Sequence, residues 1–244
     1  MTARSSIPRS RQQAVCACLQ APTSLKASPP EHNVIRSSRI IDISPVISPE
    51  LAVWPGDVAF SRSLAMSWEA GDHLELSAIT GSVHLGAHVD GPSHYSPQGS
   101  TIDKRPLELY LGPAQVIRVA VDRAERIRPE QVAVKIEAPR VLFRTDSYPD
   151  PNHFNEDFAS LSPELIDWLA SQQVRLVGID TPSVDLCDDK KLLSHNRVAA
   201  HDMAILEGIV LDSVDPGLYT LIALPLPLQG LDASPVRAVL LAED

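Results

Sequence analysis

The 244-residue sequence has few cysteines, no long apolar run and a shortage of basic residues. Its three cysteines form no Cys-x-x-Cys pair and indicate no disulfide framework, so a reducing compartment, the cytoplasm, fits best. No apolar stretch approaches the roughly 20 residues that a membrane-spanning helix needs. Lysine and arginine number 21 against 31 aspartates and glutamates, which gives a formal net charge of −10. This charge argues against nucleic acid as a partner.

Residues 1–38 differ in kind from the rest of the chain. They are rich in Ser, Pro, Arg and Gln, and the first acidic residue is Glu31. This composition predicts a disordered N-terminal extension, while the Arg-rich, acid-poor character is also typical of a targeting segment. An overlong start of the reading frame is a third interpretation. Residues 39–244 are long enough for one sizeable domain.

Short β-type runs outnumber helical segments in residues 39–244. Residues 74–80 alternate apolar and polar side chains, which predicts a half-buried strand, and residues 174–179 are typical of a buried one. Ser162 and Pro163 mark the clearest helix start, as N-cap and first helical residue. Residues 127–134 and 194–204 are predicted to be helical as well. The pattern contains no internal repeats and predicts a single, strand-rich α/β domain.

Residues 84–94, His-Leu-Gly-Ala-His-Val-Asp-Gly-Pro-Ser-His, hold three imidazoles and a carboxylate. These are ligand types that zinc and manganese accept. A straight strand would place His84, His88 and Asp90 on one face but hold the two histidine Cα atoms about 13 Å apart, so the chain must bend, with Gly86 as the residue that tolerates it. A helix would turn Asp90 away. A metal-dependent hydrolase is the leading hypothesis, and purely hydrogen-bonded histidines or a structural site are the alternatives.

Further ligands must come from later in the chain. Glu207 lies inside an apolar run, where a carboxylate is costly to bury unless it is paired or binds a metal; exposure at a strand end is the alternative. His195 and His201 both fall on a predicted helix, and the residues alone do not choose between them.

Several motifs recur in the order found in a known family. They are Trp-Pro-Gly-Asp at 54–57, Leu-Tyr-Leu-Gly-Pro at 109–113, Gly-Ile-Asp-Thr-Pro-Ser-Val-Asp at 178–185, Ala-Ile-Leu-Glu-Gly at 204–208 and Leu-Asp-Ala-Ser-Pro-Val-Arg-Ala at 231–238. With the histidine motif, they make the chain resemble the bacterial kynurenine formamidases (arylformamidases), a family of metal-dependent cyclase-like hydrolases. The resemblance runs from about residue 40 to the C-terminus. Asp189 departs from it, since the family usually has Ser before the lysine there.

The resemblance implies a cyclase-like (swivelling β/β/α) domain that forms a homodimer. It also implies two bound divalent metal ions, with zinc as the expected metal and manganese as the alternative. His94 would then be the catalytic acid/base and not a ligand. Trp54 would line the substrate pocket, with plain packing beside its turn as the alternative. Asp90 and Glu207 would bridge the two metals. The implied ligands are His84, His88, Asp90, His195 and Glu207.

The implied reaction is hydrolysis of N-formyl-L-kynurenine to L-kynurenine and formate in tryptophan degradation. Metals would hold the attacking water as hydroxide, and His94 would carry its proton to the leaving aniline nitrogen. One rival hypothesis is a sibling hydrolase of another small amide, lactam or ester, such as an isatin-type ring. The other is a non-catalytic metal-binding protein. Neither nucleic acid nor membrane is expected as a partner.

Overall fold

The computed structural model describes residues 39–242, and the predicted N-terminal extension lies outside them. Strands dominate this part of the chain, as the sequence predicts. The strands are β1 (Arg39–Asp42), β2 (Ser61–Met66), β3 (Leu76–Thr80), β4 (His88–Asp90), β5 (Leu111–Arg118), β6 (Arg126–Ile127), β7 (Arg140–Arg144), β8 (Ser160–Leu161), β9 (Leu176–Ile179), β10 (Ala204–Glu207), β11 (Gly217–Ile222), β12 (Ala233–Pro235) and β13 (Val239–Ala242). The α-helices are α1 (Pro163–Ser171) and α2 (Leu193–Ala200).

Nine strands form one mixed sheet in the order β1-β13-β11-β5-β7-β9-β10-β4-β12. The central strands β5, β7, β9 and β10 are parallel to one another, and the pairings outside them are antiparallel. The two remaining pairs, β2 with β3 and β6 with β8, stand outside this sheet. The result is a single strand-rich α/β domain.

Alternate residues of the central strands feed two apolar cores, one on each side of the sheet. In β10, Ala204 and Leu206 join the first core, while Ile205 joins the second. The second core also contains the buried residues of α1 and α2, so the helices cover that side. Because side chains alternate along a strand, Glu207 follows Ile205 to the helical side.

Both helices begin near their predicted starts. Ser162 Oγ accepts a hydrogen bond from the Leu165 N–H at 3.1 Å, and Pro163 follows as the first helical residue. Helix α2 ends at Ala200, short of the predicted residue 204, because Asp202 adopts a left-handed conformation with φ of +49°. Residues 204–207 then form a strand. Neither helix has the length and apolar character required to cross a bilayer, among the residues that the structure describes.

Two other expectations are wrong. The predicted helix at residues 127–134 is only a single 3-10 turn, Pro129–Gln131, because Val132 leaves helical geometry with ψ of 88°. Strand β3 exists, but all of its residues are exposed, with Ile79 at 75%. It pairs with β2 alone in a hairpin that adds nothing to either core. The alternation of apolar and polar residues therefore predicted the strand correctly but not its burial.

Candidate metal centre

Strands β4 and β10 bring the first two functional side chains together. They run antiparallel, and the register places Glu207 directly opposite His88. Val89 between the two β4 ligands points into the first core, so His88 and Asp90 project to the helical side, the same side as Glu207. All three side chains are almost fully buried. The sheet itself thus presents two carboxylates and an imidazole on one face.

A turn before β4 brings His84 back to the same place. Gly86 has φ of +60°, the left-handed region that glycine adopts without steric cost, as the need for a bend predicts. Its carbonyl oxygen lies 2.8 Å from Nδ1 of His88, which leaves Nε2 of that ring to face the cluster. The bend places Nδ1 of His84 3.3 Å from Oδ1 of Asp90.

Helix α2 supplies the next imidazole, and Asp185 fixes it. The Asp185 carboxylate accepts hydrogen bonds from the backbone N–H groups of Ser194 and His195 at 2.9 and 3.1 Å. It therefore caps the first turn of α2. The same carboxylate lies 2.8 Å from Nδ1 of His195 and 2.7 Å from a guanidinium nitrogen of Arg126. Nε2 of His195 is thereby directed toward Asp90.

All five predicted ligands meet in one cluster. Asp90 Oδ2 lies 3.5 Å from His195 Nε2, and Glu207 Oε2 lies 3.2 Å from His88 Nε2. Glu207 Oε1 lies 3.7 Å from His195 Nε2. Asp90 thus lies close to three imidazoles, those of His84, His88 and His195, and Glu207 lies close to two of them. The alternative that Glu207 is exposed at a strand end is wrong, since its side chain is 3% exposed.

The structure also separates the two candidate histidines of α2. His201 follows the helix and turns away from the cluster. Its Nε2 lies 2.7 Å from a carboxylate oxygen of Asp167 on α1. His195 is therefore the histidine that the fold delivers to the site.

The buried polar atoms of the cluster fit a metal. Nε2 of His88 and both carboxylate oxygens of Asp90 are buried without a hydrogen-bond partner among the described residues, an arrangement that costs free energy unless a cation binds them. Ligand atoms of His84, His88 and Asp90 all lie within 4.8 Å of one another. Mixed imidazole and carboxylate donors suit zinc and also manganese. The observed residues thus support a metal site.

The carboxylates raise the pKa of two imidazoles in the cluster. Burial lowers the pKa of His195, but its hydrogen bond with Asp185 and the nearby carboxylate of Asp90 outweigh burial and raise the pKa to about 10. Burial also opposes the proton on His84, and the carboxylate of Asp90, 3.3 Å away, outweighs burial and raises the pKa to about 9. Burial acts against the ionised form of Asp90, yet His195 and His84 hold its pKa well below the usual range. The carboxylates of the cluster thus favour positive charge at the positions of these imidazoles.

His94 lies beside the cluster and is held by a carboxylate that the sequence analysis did not single out. A single oxygen of Asp232 lies 3.3 Å from Nδ1 of His94 and 3.1 Å from Nε2 of His84. Asp232 directly precedes β12, whose pairing with β4 places Ala233 opposite Asp90. Asp185 and Asp232 were both visible within the family-like motifs, but nothing in the residues alone assigned them a contact.

A cavity of about 870 Å³ opens on the cluster. His84, His88, His94, His195 and Glu207 line it. The predicted pocket residue Trp54 lies on its wall, at the start of a turn in which the Asp57 N–H donates a hydrogen bond to the Trp54 carbonyl oxygen at 2.9 Å. The Trp54 ring meets Phe154 edge-on with ring centroids 5.5 Å apart. The site thus joins a polar, metal-binding region to an aromatic wall.

A strand-rich α/β domain with such a cluster in a cavity has the arrangement of a metal-dependent hydrolase. The model of the Cyclase family, described as "Putative cyclase", matches residues 41–186, and the chain belongs to this family. The matched residues include the whole histidine motif but end before His195 and Glu207.

Several solved structures share this fold. A "potential metal-dependent hydrolase with cyclase activity" is 27% identical, with a TM-score of 0.74 over 85% of this chain and 100% of that one. A predicted metal-dependent hydrolase from Bacillus stearothermophilus is 24% identical, with a TM-score of 0.71 over 85% and 100% of the two chains. Isatin hydrolase A from Labrenzia aggregata, bound to benzyl benzoate, is 24% identical, with a TM-score of 0.73 over 85% and 94%. The last two likenesses, being under 25% identity, concern the fold alone.

Proposed function

We propose that this protein hydrolyses N-formyl-L-kynurenine to L-kynurenine and formate. The observation that carries the proposal is the cavity in which a cluster of imidazoles and carboxylates adjoins an aromatic wall. An aryl formamide presents the matching pair of features, a small polar group to be cleaved and a flat ring. The motifs at residues 54–57 and 231–238 favour this substrate within the family.

We expect two divalent cations, with zinc as the leading candidate. The residues that would hold them are His84, His88, Asp90, His195 and Glu207. Bound there, the cations supply Lewis acidity and lower the pKa of water, which makes a nucleophile available near neutral pH. The protein's part is to hold the ligand atoms in place. It does so through the Gly86 carbonyl on His88 and the Asp185 carboxylate on His195.

His94 is placed to move the proton. Its Nδ1 faces Asp232, so a proton on Nδ1 is held there and Nε2 becomes the basic nitrogen. In that tautomer His94 can accept a proton from the attacking water and return it to the aniline nitrogen as the C–N bond breaks. Asp232 also stabilises the imidazolium formed between these two steps.

Trp54 and Phe154 supply the ring-binding wall. Trp54 keeps 37% of its surface exposed although it lies in an aromatic group, so its ring is available to a ligand. A planar anilide packs favourably against such a surface. The position of Trp54 on the cavity wall supports this role over packing beside the turn.

The protein is further proposed to be a cytoplasmic homodimer. The β2–β3 hairpin exposes Leu64, Leu76 and Ile79, and an isolated hairpin is marginally stable in water. A second copy is the proposed cover. Light scattering coupled to size-exclusion chromatography should give a mass of about twice that of one chain. Ile79→Glu should lower the measured mass toward that of a single chain. A monomeric wild type contradicts the proposal.

The direct test is turnover of N-formyl-L-kynurenine by purified, zinc-loaded protein, followed by kynurenine absorbance with and without a chelator. Turnover that the chelator abolishes supports the reaction and its metal dependence together. A folded, metal-loaded sample without turnover contradicts the proposal.

The same assay separates the rival hypotheses. Isatin, a lactam fused to a benzene ring, would occupy the same aromatic wall, and preferred cleavage of isatin would identify the sibling hydrolase. A non-catalytic metal-binding protein would cleave neither compound.

A further inference from the structure

The charges that line the cavity are unevenly distributed. Its walls carry several carboxylates but a single side chain of the lysine and arginine type, Lys190, among the residues that the structure describes. The lining carboxylates are Asp57, Asp146, Asp180, Asp189, Glu207 and Asp212. A lone cation in such surroundings would ordinarily be paired with one of them.

The nearest carboxylate in sequence is already engaged elsewhere. Asp189 binds the Arg126 guanidinium and also accepts the backbone N–H groups of Lys191 and Leu193. The Asp146 carboxylate likewise forms an ion pair with the Arg144 guanidinium. For Lys190, no carboxylate oxygen of the described residues lies within the 4 Å of an ion pair, and the residue is exposed while it lines the cavity.

The backbone that carries Lys190 is nevertheless fixed. Asp189 ties it to Arg126 on one side and to the start of α2 on the other. His195 follows on that helix five residues later and contacts the cluster. Lys190 thus offers an unpaired ammonium group from a held position on the same segment as a metal-binding residue.

We infer that Lys190 binds a carboxylate of the substrate at a distance from the amide bond that is cleaved. The inference rests on the proposed function and adds a preference for substrates that carry a carboxylate. With the formamide at the cluster and the ring against Trp54, the amino-acid end of N-formylkynurenine would extend from the ring along the cavity wall that Lys190 lines. An ammonium group on that wall favours a molecule with a carboxylate there over the same molecule without one.

Two product-side compounds test this without any need for turnover. L-kynurenine and kynuramine differ only in that kynuramine has hydrogen in place of the carboxylate. Their binding to the zinc-loaded enzyme can be measured by titration calorimetry for the wild type, Lys190→Met and Lys191→Met. Lys191 is the matched control, because it is an adjacent exposed lysine that does not line the cavity.

The wild type should bind L-kynurenine more tightly than kynuramine. Lys190→Met should weaken L-kynurenine binding roughly two- to fivefold, the range for a solvent-exposed ion pair, and leave kynuramine binding unchanged. Lys191→Met should change neither. Added salt should reduce the preference of the wild type, because it screens exposed charges, and should have little effect in Lys190→Met.

Three results would overturn the inference: no preference for L-kynurenine in the wild type, equal losses for both compounds in Lys190→Met, or the same loss in Lys191→Met. The proposed function fails separately, through absence of turnover of N-formyl-L-kynurenine by the wild type. The binding comparison is decisive for Lys190 in either case.

Discussion

Asp185 and His195 are joined by a 2.8 Å contact between Oδ2 and Nδ1, and the same carboxylate caps the helix on which His195 lies. One group thus sets both the position of α2 and the orientation of the ring. Arg126 keeps the carboxylate in place from the other side. Burial opposes the ionised form of Asp185, but His195 and the backbone N–H groups of α2 keep its pKa far below the usual range. Asp185 therefore stays charged while it holds the ring.

Replacing Asp185 should weaken metal binding without unfolding the protein. Asp185→Asn keeps the shape and one acceptor for the helix but loses the charge that orients His195. Loss of such an outer partner typically costs about 10- to 100-fold in metal affinity, and we expect a decrease of that size in a zinc competition assay. Asp188→Asn, three residues away and exposed, is the control. Equal affinities for Asp185→Asn and the wild type would contradict the orienting role.

His94→Ala should separate chemistry from metal binding. If His94 transfers the proton, turnover should fall by about 10²- to 10⁴-fold, the usual contribution of a general acid/base. Metal content measured by emission spectroscopy should stay near that of the wild type. His94 also lies in two groups of residues with metal-binding geometry, together with His84 and Asp232 or with Asp90 and His195. Loss of metal in step with activity would therefore make His94 a ligand.

Glu207→Gln should deplete the metal and reveal its contribution to stability. The amide keeps the hydrogen bond from the Val184 N–H, 2.6 Å from Oε1 in the wild type, but loses the charge facing His88. A ligand that binds only the folded state raises stability, so a chelator should lower the melting temperature of the wild type and lower that of Glu207→Gln less. Glu137→Gln, an exposed substitution of the same kind, should behave as the wild type. A fully metal-loaded Glu207→Gln would exclude Glu207 as a ligand.

These sites differ in how far the sequence reveals them. The histidine motif is recognisable because three imidazoles and a carboxylate within eleven residues have few other uses, and Gly86 marks the bend that they require. His195 is a different case. Its approach to Asp90 depends on where α2 packs against the sheet, and only the family resemblance distinguished it from His201.

Asp185 and Asp232 mark the limit of prediction from the residues. Each is an aspartate near a proline and a serine, a setting common in surface turns. Their partners are distant in the chain: Asp232 contacts His84 across 148 positions. Such contacts follow from sheet order, in which β12 lies beside β4, and no local pattern reports that order. The prediction of a half-buried strand at residues 74–80 failed for a related reason. Alternation of apolar and polar residues does not show whether a core lies beneath the strand.

Gly208 should be intolerant of a side chain for a reason that Gly230 lacks. Both have positive φ, +65° and +79°. A Cβ on Gly208 would lie 2.2 Å from the Gly86 carbonyl oxygen, a backbone atom, whereas a Cβ on Gly230 would meet nothing within 4 Å. Gly208 follows Glu207, and Gly86 lies between His84 and His88, so relief of the clash must move ligands of the candidate metal centre.

Gly230→Ala should therefore cost only the left-handed conformation, about 1–2 kcal/mol of unfolding free energy in urea. Gly208→Ala should cost clearly more, about 3 kcal/mol or above, because two backbone segments must separate. It should also weaken zinc binding, while Gly230→Ala should not. Equal losses of stability in the two variants, with zinc affinity retained in both, would show that the chain relieves the contact without disturbing the ligands. The close approach of Gly86 and Gly208 would then be incidental to the site.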